Sequence, residues 1–271
     1  MSEGPTRRDF VKAALGAGGA ALLPSASRSA AADATASVPP GRRALFVYGG
    51  WDGHEPTKCR DLFVPWLKGK GFDVTVSDTQ APYADAALMQ TVDLIVQIWT
   101  MGTIEKEPLA GLLQAVKAGA GLAGWHGGLG DAYRQQTEYE YMVGGNWVAH
   151  PGGLIDYEVR IIDHEDPVTA GLSDFKVKTE QYFMHVNPNN KVLATTTFSA
   201  DHDPWIEGCT MPVAWKKVYG KGRVFYTSLG HTADVFAVPE ALSIIQRGML
   251  WASDSRHAPT PNLLAPVYPQ R

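Results

Sequence analysis

Apolar and polar positions follow two regimes along this chain. Up to about residue 130, short continuous apolar runs alternate with stretches of helical period. Ala44-Leu45-Phe46-Val47-Tyr48 contains no charged position, as expected of a strand covered on both faces. Pro56 suits the first turn of a helix reaching about Gly69, with Phe63, Val64, Trp66 and Leu67 on its apolar face. Gly71 fits the helix stop, and Phe72 to Val76 alternates as a second strand. An Ala-rich segment reads as a short helix, Leu94 to Ile98 as a third strand, Glu107 to Ala118 as a helix, and Gly121 to Trp125 as a fourth strand. This order predicts an α/β fold with a doubly wound parallel sheet, whose ligands lie beyond the carboxyl ends of the strands.

The second half is less regular. A helix is expected from Asp131 to Met142, stopped by Gly144-Gly145, and then a loop over Asn146 to Gly152. Ile155 to Ile162 reads as a strand, His164 to Gly171 as a turn, and Glu180 to Phe183 as a short strand or loop. Val192 to Thr197, Pro212 to Tyr219 and Arg223 to Ser228 are further strands, the last two joined by Gly220-Lys221-Gly222 as a hairpin. A helix over Glu240 to Ala252 closes a single domain of residues 42–253. The proline-rich tail, 254–271, is expected to drape on the surface or lack order.

Composition narrows the class. A formal charge of −4 over 271 residues gives no footprint for nucleic acid or an anionic membrane. The first residues are set apart: Thr6-Arg7-Arg8-Asp9-Phe10-Val11-Lys12, an apolar Ala/Gly/Leu stretch and Ser29-Ala30-Ala31-Ala32 outline a twin-arginine export signal over 1–32. Residues 33–41 then read as a linker. The expected location is periplasmic, with no stable membrane span. Cys59 and Cys209 would enter an oxidising compartment, but spacing alone cannot pair them.

The chemistry centres on Gly124-Trp125-His126-Gly127-Gly128, the outline of a nucleophile elbow with histidine in place of the nucleophile. Neither cysteine sits at an elbow and no G-x-S-x-G is present, so triad hydrolysis is not expected. His54, His126, His150, His185 and His231 all fall near strand-to-loop junctions. His54, His126, His150 and His231 are candidate ligands for a divalent metal, zinc first, with Glu180 as the carboxylate best placed to join them. No dense motif such as H-E-x-x-H supports the set. Glu180 and Tyr182, two apart on extended backbone, share a face and could act with His126 as base and acid. Trp51, Trp99, Trp125 and Trp147 at strand ends, with His185, are candidate contacts for a carbohydrate, whose apolar faces and hydroxyls suit aromatic rings beside polar groups. Gly119-Ala120-Gly121-Leu122-Ala123-Gly124 has the G-x-G-x-x-G spacing but runs into the fourth strand instead of following a strand to open a helix, and no P-loop is present, so nucleotide binding is left without support.

These motifs, with Gly144-Gly145-Asn146-Trp147 through His150-Pro151, Glu180-Gln181-Tyr182, Gly222 through His231 and Arg247 through Ala252, resemble the trehalose-utilisation (ThuA-like) domain family from about Arg43 to Ala252. The resemblance implies a three-layer, flavodoxin-like sandwich of the class I glutamine amidotransferase type, whose elbow has exchanged cysteine for histidine. It also implies catabolism of disaccharides, with a partner sugar 3-dehydrogenase supplying 3-keto-glycosides. Thr179-Glu180-Gln181-Tyr182 departs from the family's Asp-Glu-Leu-Tyr, and His164-Glu165-Asp166-Pro167-Val168 from its His-Pro-Ile. The expected function is metal-dependent action on a glycoside or 3-keto-glycoside through removal of the C2 proton, ending in elimination and hydration or in isomerisation. The alternative is a carbohydrate-binding or accessory protein using the same cleft without turnover.

Overall fold

A computed structural model of the chain describes residues 37–264, so the export signal expected over 1–32 lies outside the described residues. The first half is the expected alternation. It runs β1 (Arg43–Gly50), α1 (Pro56–Gly69), β2 (Asp73–Ser77), α2 (Ala86–Thr91), β3 (Leu94–Thr100), α3 (Lys106–Lys117) and β4 (Gly121–Trp125). The second half continues with α4 (His126–Gly130), α5 (Thr137–Val143), β5 (Gly145–Ala149), β6 (Leu154–Ile161), β7 (Phe175–Glu180), β8 (Phe183–Val186), β9 (Lys191–Thr197), β10 (Thr210–Tyr219), β11 (Gly222–Thr227) and α6 (Pro239–Ser253).

Nine strands form one sheet in the order β2-β1-β3-β4-β11-β10-β9-β6-β7, and β5 pairs with β8 apart from it. Strands β2, β1, β3, β4 and β11 are mutually parallel. From β11 outward the pairing turns antiparallel, so the sheet is half parallel and half antiparallel. Helices cover both faces, which is the three-layer α/β sandwich expected. Successive strand residues divide between two cores: Phe46, Val96 and Ala123 join α1 and α6 on one face, while Leu45, Ile95 and Leu122 join α2, α3 and α5 on the other. Burial on both faces explains why these strands read as unbroken apolar runs. Among the described residues, no helix is long and apolar enough to cross a membrane.

Three sequence readings change, and a question left open about the cysteines is answered. The helix expected over Asp131 to Met142 is cut down to α5, because the segment before it is tied to the loop after β3: Met101 N–H donates to Asp131 O and Gly102 N–H to Ala132 O. The loop expected after Gly145 pairs as β5. Strand β7 went unread although Phe175, Val177 and Thr179 alternate inward between exposed lysines. Cys59 is buried in the core on the α1 and α6 face, whereas Cys209 packs against the other, so both are free thiols on opposite sides of the sheet. Beyond α6, the start of the tail is held down: His257 Nε2 lies 2.7 Å from Asp93 Oδ1, and Arg256 donates to the carbonyls of Val92 and Met89.

Candidate metal centre

The elbow is built as its glycines require. Strand β4 ends at Trp125, and His126 turns into α4 with φ of 48°, a left-handed conformation that costs a non-glycine residue roughly 1–3 kcal/mol. A Cβ on Gly127 would come within 2.6 Å of the His54 ring, and one on Gly128 within 2.7 Å of the Ile98 backbone. Both positions therefore admit only glycine if α4 is to sit this close to β3 and to the loop after β1. That approach sets the His54 and His126 rings edge to face, 4.6 Å apart at their centroids.

Three parallel strands supply the histidines. His54 follows β1, His126 follows β4 and His231 follows β11, all on the carboxyl edge. Counting reversals from β11, strand β7 points the same way, so its last residue, Glu180, arrives at that edge too. One ligand-capable atom from each of His54, His126, Glu180 and His231 falls within 4.8 Å of the others. Glu180 Oε2 lies 3.0 Å from His126 Nε2 and 3.2 Å from His231 Nδ1.

The neighbours of these groups fix their chemistry. His126 is 1% exposed, and its Nδ1 lies 2.8 Å from the Ser228 carbonyl, which can only accept. Nδ1 therefore carries the proton, and the neutral ring turns a bare Nε2 lone pair toward Glu180. Burial lowers the pKa of His126, against the pull of Glu180, and favours that neutral ring. Burial, and then the nearness of His126, bring His54 down to about 3. Burial pushes the Glu180 carboxyl up, but hydrogen bonds and charge from His126 and His231, where those rings carry a proton, outweigh it and hold the group well below the usual carboxylate range, so the site favours a carboxylate beside positive charge. With the His126 ring neutral, as its burial favours, the Nε2 and Oε2 lone pairs would oppose each other at 3.0 Å. A cation between them resolves the conflict. His54 Nδ1 lies 2.8 Å from Thr100 Oγ1, which leaves its Nε2 for that cation. His231 Nδ1 is buried with no well-aligned hydrogen-bond partner despite its distance to Glu180, which fits a nitrogen that ligates a metal. Three imidazoles and a carboxylate suit zinc or a similar divalent ion.

The other expected residues divide. His150 stands outside the four, its Nε2 3.7 Å from Glu180 Oε1 and its side chain 38% exposed. Tyr182 stacks on His126 at 4.1 Å; burial raises its pKa well above the usual phenol, so it stays protonated and can donate but not serve as base. Trp51, 47% exposed, lines an open cleft of about 220 Å³ above Glu180. Trp147 is also at that cleft, but the Arg134 guanidinium lies over its ring at 4.8 Å. Trp99 and Trp125 are not cleft residues. The Trp99 ring lies over Gly49 and Gly102 against the core. Trp125 is 2% exposed and packs on Phe63 and Phe236. His185 also falls outside: β8 turns Met184 inward and His185 outward to solvent. Sequence reasoning missed Asp131 and Arg134, which line the cleft directly after the elbow glycines. Their spacing of three looked like part of a helix.

The model of the family described as ThuA, trehalose utilisation, matches residues 43–252. Among solved structures, a ThuA-like protein from Bacteroides uniformis ATCC 8492 aligns with a TM-score of 0.68 at 18% identity, over 80% of this chain and 93% of that one. A ThuA-like protein from Parabacteroides merdae ATCC 43184 gives 0.64 at 18%, over 79% and 90%. A cytoplasmic protein from Salmonella typhimurium LT2 gives 0.56 at 14%, over 80% and 99%. At these identities the likeness is one of fold. No curated protein matches the chain.

Proposed function

The chain belongs to the ThuA trehalose-utilisation family, and from that premise we propose that it is a metal-dependent enzyme acting on a glycoside or 3-keto-glycoside. The observation that carries this reading is the lone-pair conflict between His126 Nε2 and Glu180 Oε2, set among His54 and His231. His54, His126, Glu180 and His231 would hold the ion, which when bound supplies Lewis acidity for negative charge developing on a sugar carbonyl oxygen. His126 is buried under Tyr182, so it serves as a ligand and not as a proton acceptor.

The proton chemistry falls to the residues facing the cleft. His150, beside Glu180 but outside the four, accepts the C2 proton of a 3-keto sugar through an imidazole nitrogen. The released electron pair moves into the C2–C3 bond and on to the C3 oxygen. It then returns through C2 to C1, expelling the C1 substituent with its bonding pair and a proton. The protonated Tyr182 hydroxyl is the available donor. Addition of water to the resulting C1–C2 double bond completes cleavage, while reprotonation alone isomerises the sugar. Covalent catalysis has no support in the elbow, which holds histidine, or in Cys59, whose thiol burial pushes up to about 12.

The N-terminal twin-arginine pattern supports a periplasmic location for this activity, and a 3-keto-glycoside substrate would require a sugar 3-dehydrogenase acting before it. Metal analysis of the purified protein and turnover of 3-keto-trehalose test the proposal together. We expect about one divalent ion per chain, activity lost on chelation and restored by zinc, and no activity in His126→Ala. A metal-free protein with undiminished turnover would overturn it.

A further inference from the structure

The cleft above the histidine–carboxylate cluster contains one charged pair that this chemistry does not use. Arg134 Nε and Nη2 donate to Asp131 Oδ1 and Oδ2 at 2.6 and 2.8 Å, a two-pronged contact. Asp131 is fixed by its backbone: its N–H donates to Gly127 O and its carbonyl accepts from Met101 N–H. Its side chain is only 7% exposed, whereas that of Arg134 is 53% exposed. The guanidinium is also pinned over Trp147, while Nη1 has no partner among the described residues.

Such a pair discriminates by charge. A lone arginine favours carboxylate or phosphate, but this one is already neutralised by a bidentate carboxylate. What remains is a free N–H donor beside carboxylate lone pairs, with no net charge. Neighbouring hydroxyls, each able to donate and accept, complement that arrangement, and an additional anion would be repelled by Asp131. Of the two cleft tryptophans, Trp147 has Arg134 over its ring, so half-exposed Trp51 is the platform left for the apolar face of a sugar. The open cleft, at about 220 Å³, is smaller than the roughly 300–1,000 Å³ of pockets that enclose drug-sized ligands and has room for one ring beside Trp51.

We propose that this cleft seats a single uncharged pyranose ring against Trp51, reads its adjacent hydroxyls through the Asp131–Arg134 pair, and leaves the group attached to that ring outside. The assignment rests on the reading of the neighbouring centre as one that processes glycosides. It adds the part of the substrate that is recognised and the residues that recognise it.

Calorimetric binding to the full-length, metal-loaded protein tests it with unreactive probes: methyl α-glucoside, its glucuronide counterpart and trehalose. We expect trehalose to bind within about threefold of methyl glucoside, and the glucuronide at least about tenfold more weakly. Arg134→Ala and Trp51→Ala should each weaken glucoside binding about tenfold with metal content unchanged. Asp131→Asn frees the arginine's charge and should invert the preference, so that the glucuronide binds more tightly than the glucoside. A merely structural pair would not produce that inversion. The proposal is overturned if no probe binds, if trehalose binds tenfold more tightly than the monosaccharide, or if Asp131→Asn, folded and metal-loaded, keeps the wild-type preference. Should Asp131→Asn not fold, Trp51→Ala and Arg134→Ala decide alone, and unchanged glucoside binding in both overturns it. Loss of 3-keto-glycoside turnover with these preferences intact would instead count against the proposed reaction.

Discussion

The antiparallel half of the sheet supplies two buried carboxylates, one kept within that half and one that crosses to the parallel half, in opposite company. In the antiparallel half, Asp166 lies 2.5 Å from Lys216 Nζ and 3.1 Å from Lys191 Nζ, and also accepts from the Val168 N–H. Two cations and a backbone donor fully satisfy it, and Lys216 is shut away at 2% exposure. Glu180 comes from the same half but crosses to histidines delivered by the parallel half, whose burial keeps His54 and His126 neutral. One carboxylate has its counter-charges built in. The other faces imidazole nitrogens, whose positive charge depends on a proton or a bound metal. Saturated charge clusters hold a fold together, whereas an unsaturated one at a sheet edge is equipped to take up a ligand.

Substitution at the two carboxylates should separate these roles. Asp166→Ala strands the Lys216 ammonium in the core and should cost about 3–5 kcal/mol in urea unfolding, while any protein that folds keeps its metal. Glu180→Ala should weaken metal affinity about 100-fold or more, by calorimetry, and leave the urea midpoint of the metal-free protein little changed. If Asp166→Ala loses metal while folded, or Glu180→Ala keeps it, the contrast between the two carboxylates fails.

Acidification should produce a smaller effect, read on metal-free protein. Burial, with His126 nearby, lowers His54 from an ordinary 6.5 to about 3 in the folded state. Between these values the unfolded chain binds a proton that the folded one refuses. The stability this histidine contributes is therefore complete above pH 6.5 and is lost as pH falls toward 3. We expect Tm to fall by several degrees, on the order of 5 °C, from pH 7 to 5. His54→Gln should flatten part of that slope. An equal slope in the variant would assign the effect to other groups.

Legibility followed the same divide. The parallel half could be read residue by residue because each strand is buried on both faces and each helix on one, so the burial pattern is written in consecutive positions. The elbow was legible for a related reason: glycines at 127 and 128 have no local use except to let His54 and Ile98 approach. Of the four histidines expected at a metal, His54, His126 and His231 do converge, because each follows a parallel strand and shares its edge. His150 follows β5, in the separate two-stranded sheet, and stops one step outside. The tryptophans were misjudged as a set because ring chemistry is the same in a cleft and in a core. Only packing tells Trp51 from Trp125.

The sequence alone determined the layered α/β architecture, the histidine lifted at the elbow and the lack of a nucleophile to go with it. These follow from periodicity, glycine placement and residue type, which act over a few positions. Tertiary structure decided that Glu180, 54 residues beyond His126, closes the cluster. It also decided that the Ser228 carbonyl, 102 residues away, sets the His126 tautomer. Asp131 and Arg134 became a cleft wall because their segment bonds to the loop after β3 and not to the next helical turn. Such choices depend on strand order and on reversals across the sheet, and no local pattern records where a distant strand will end.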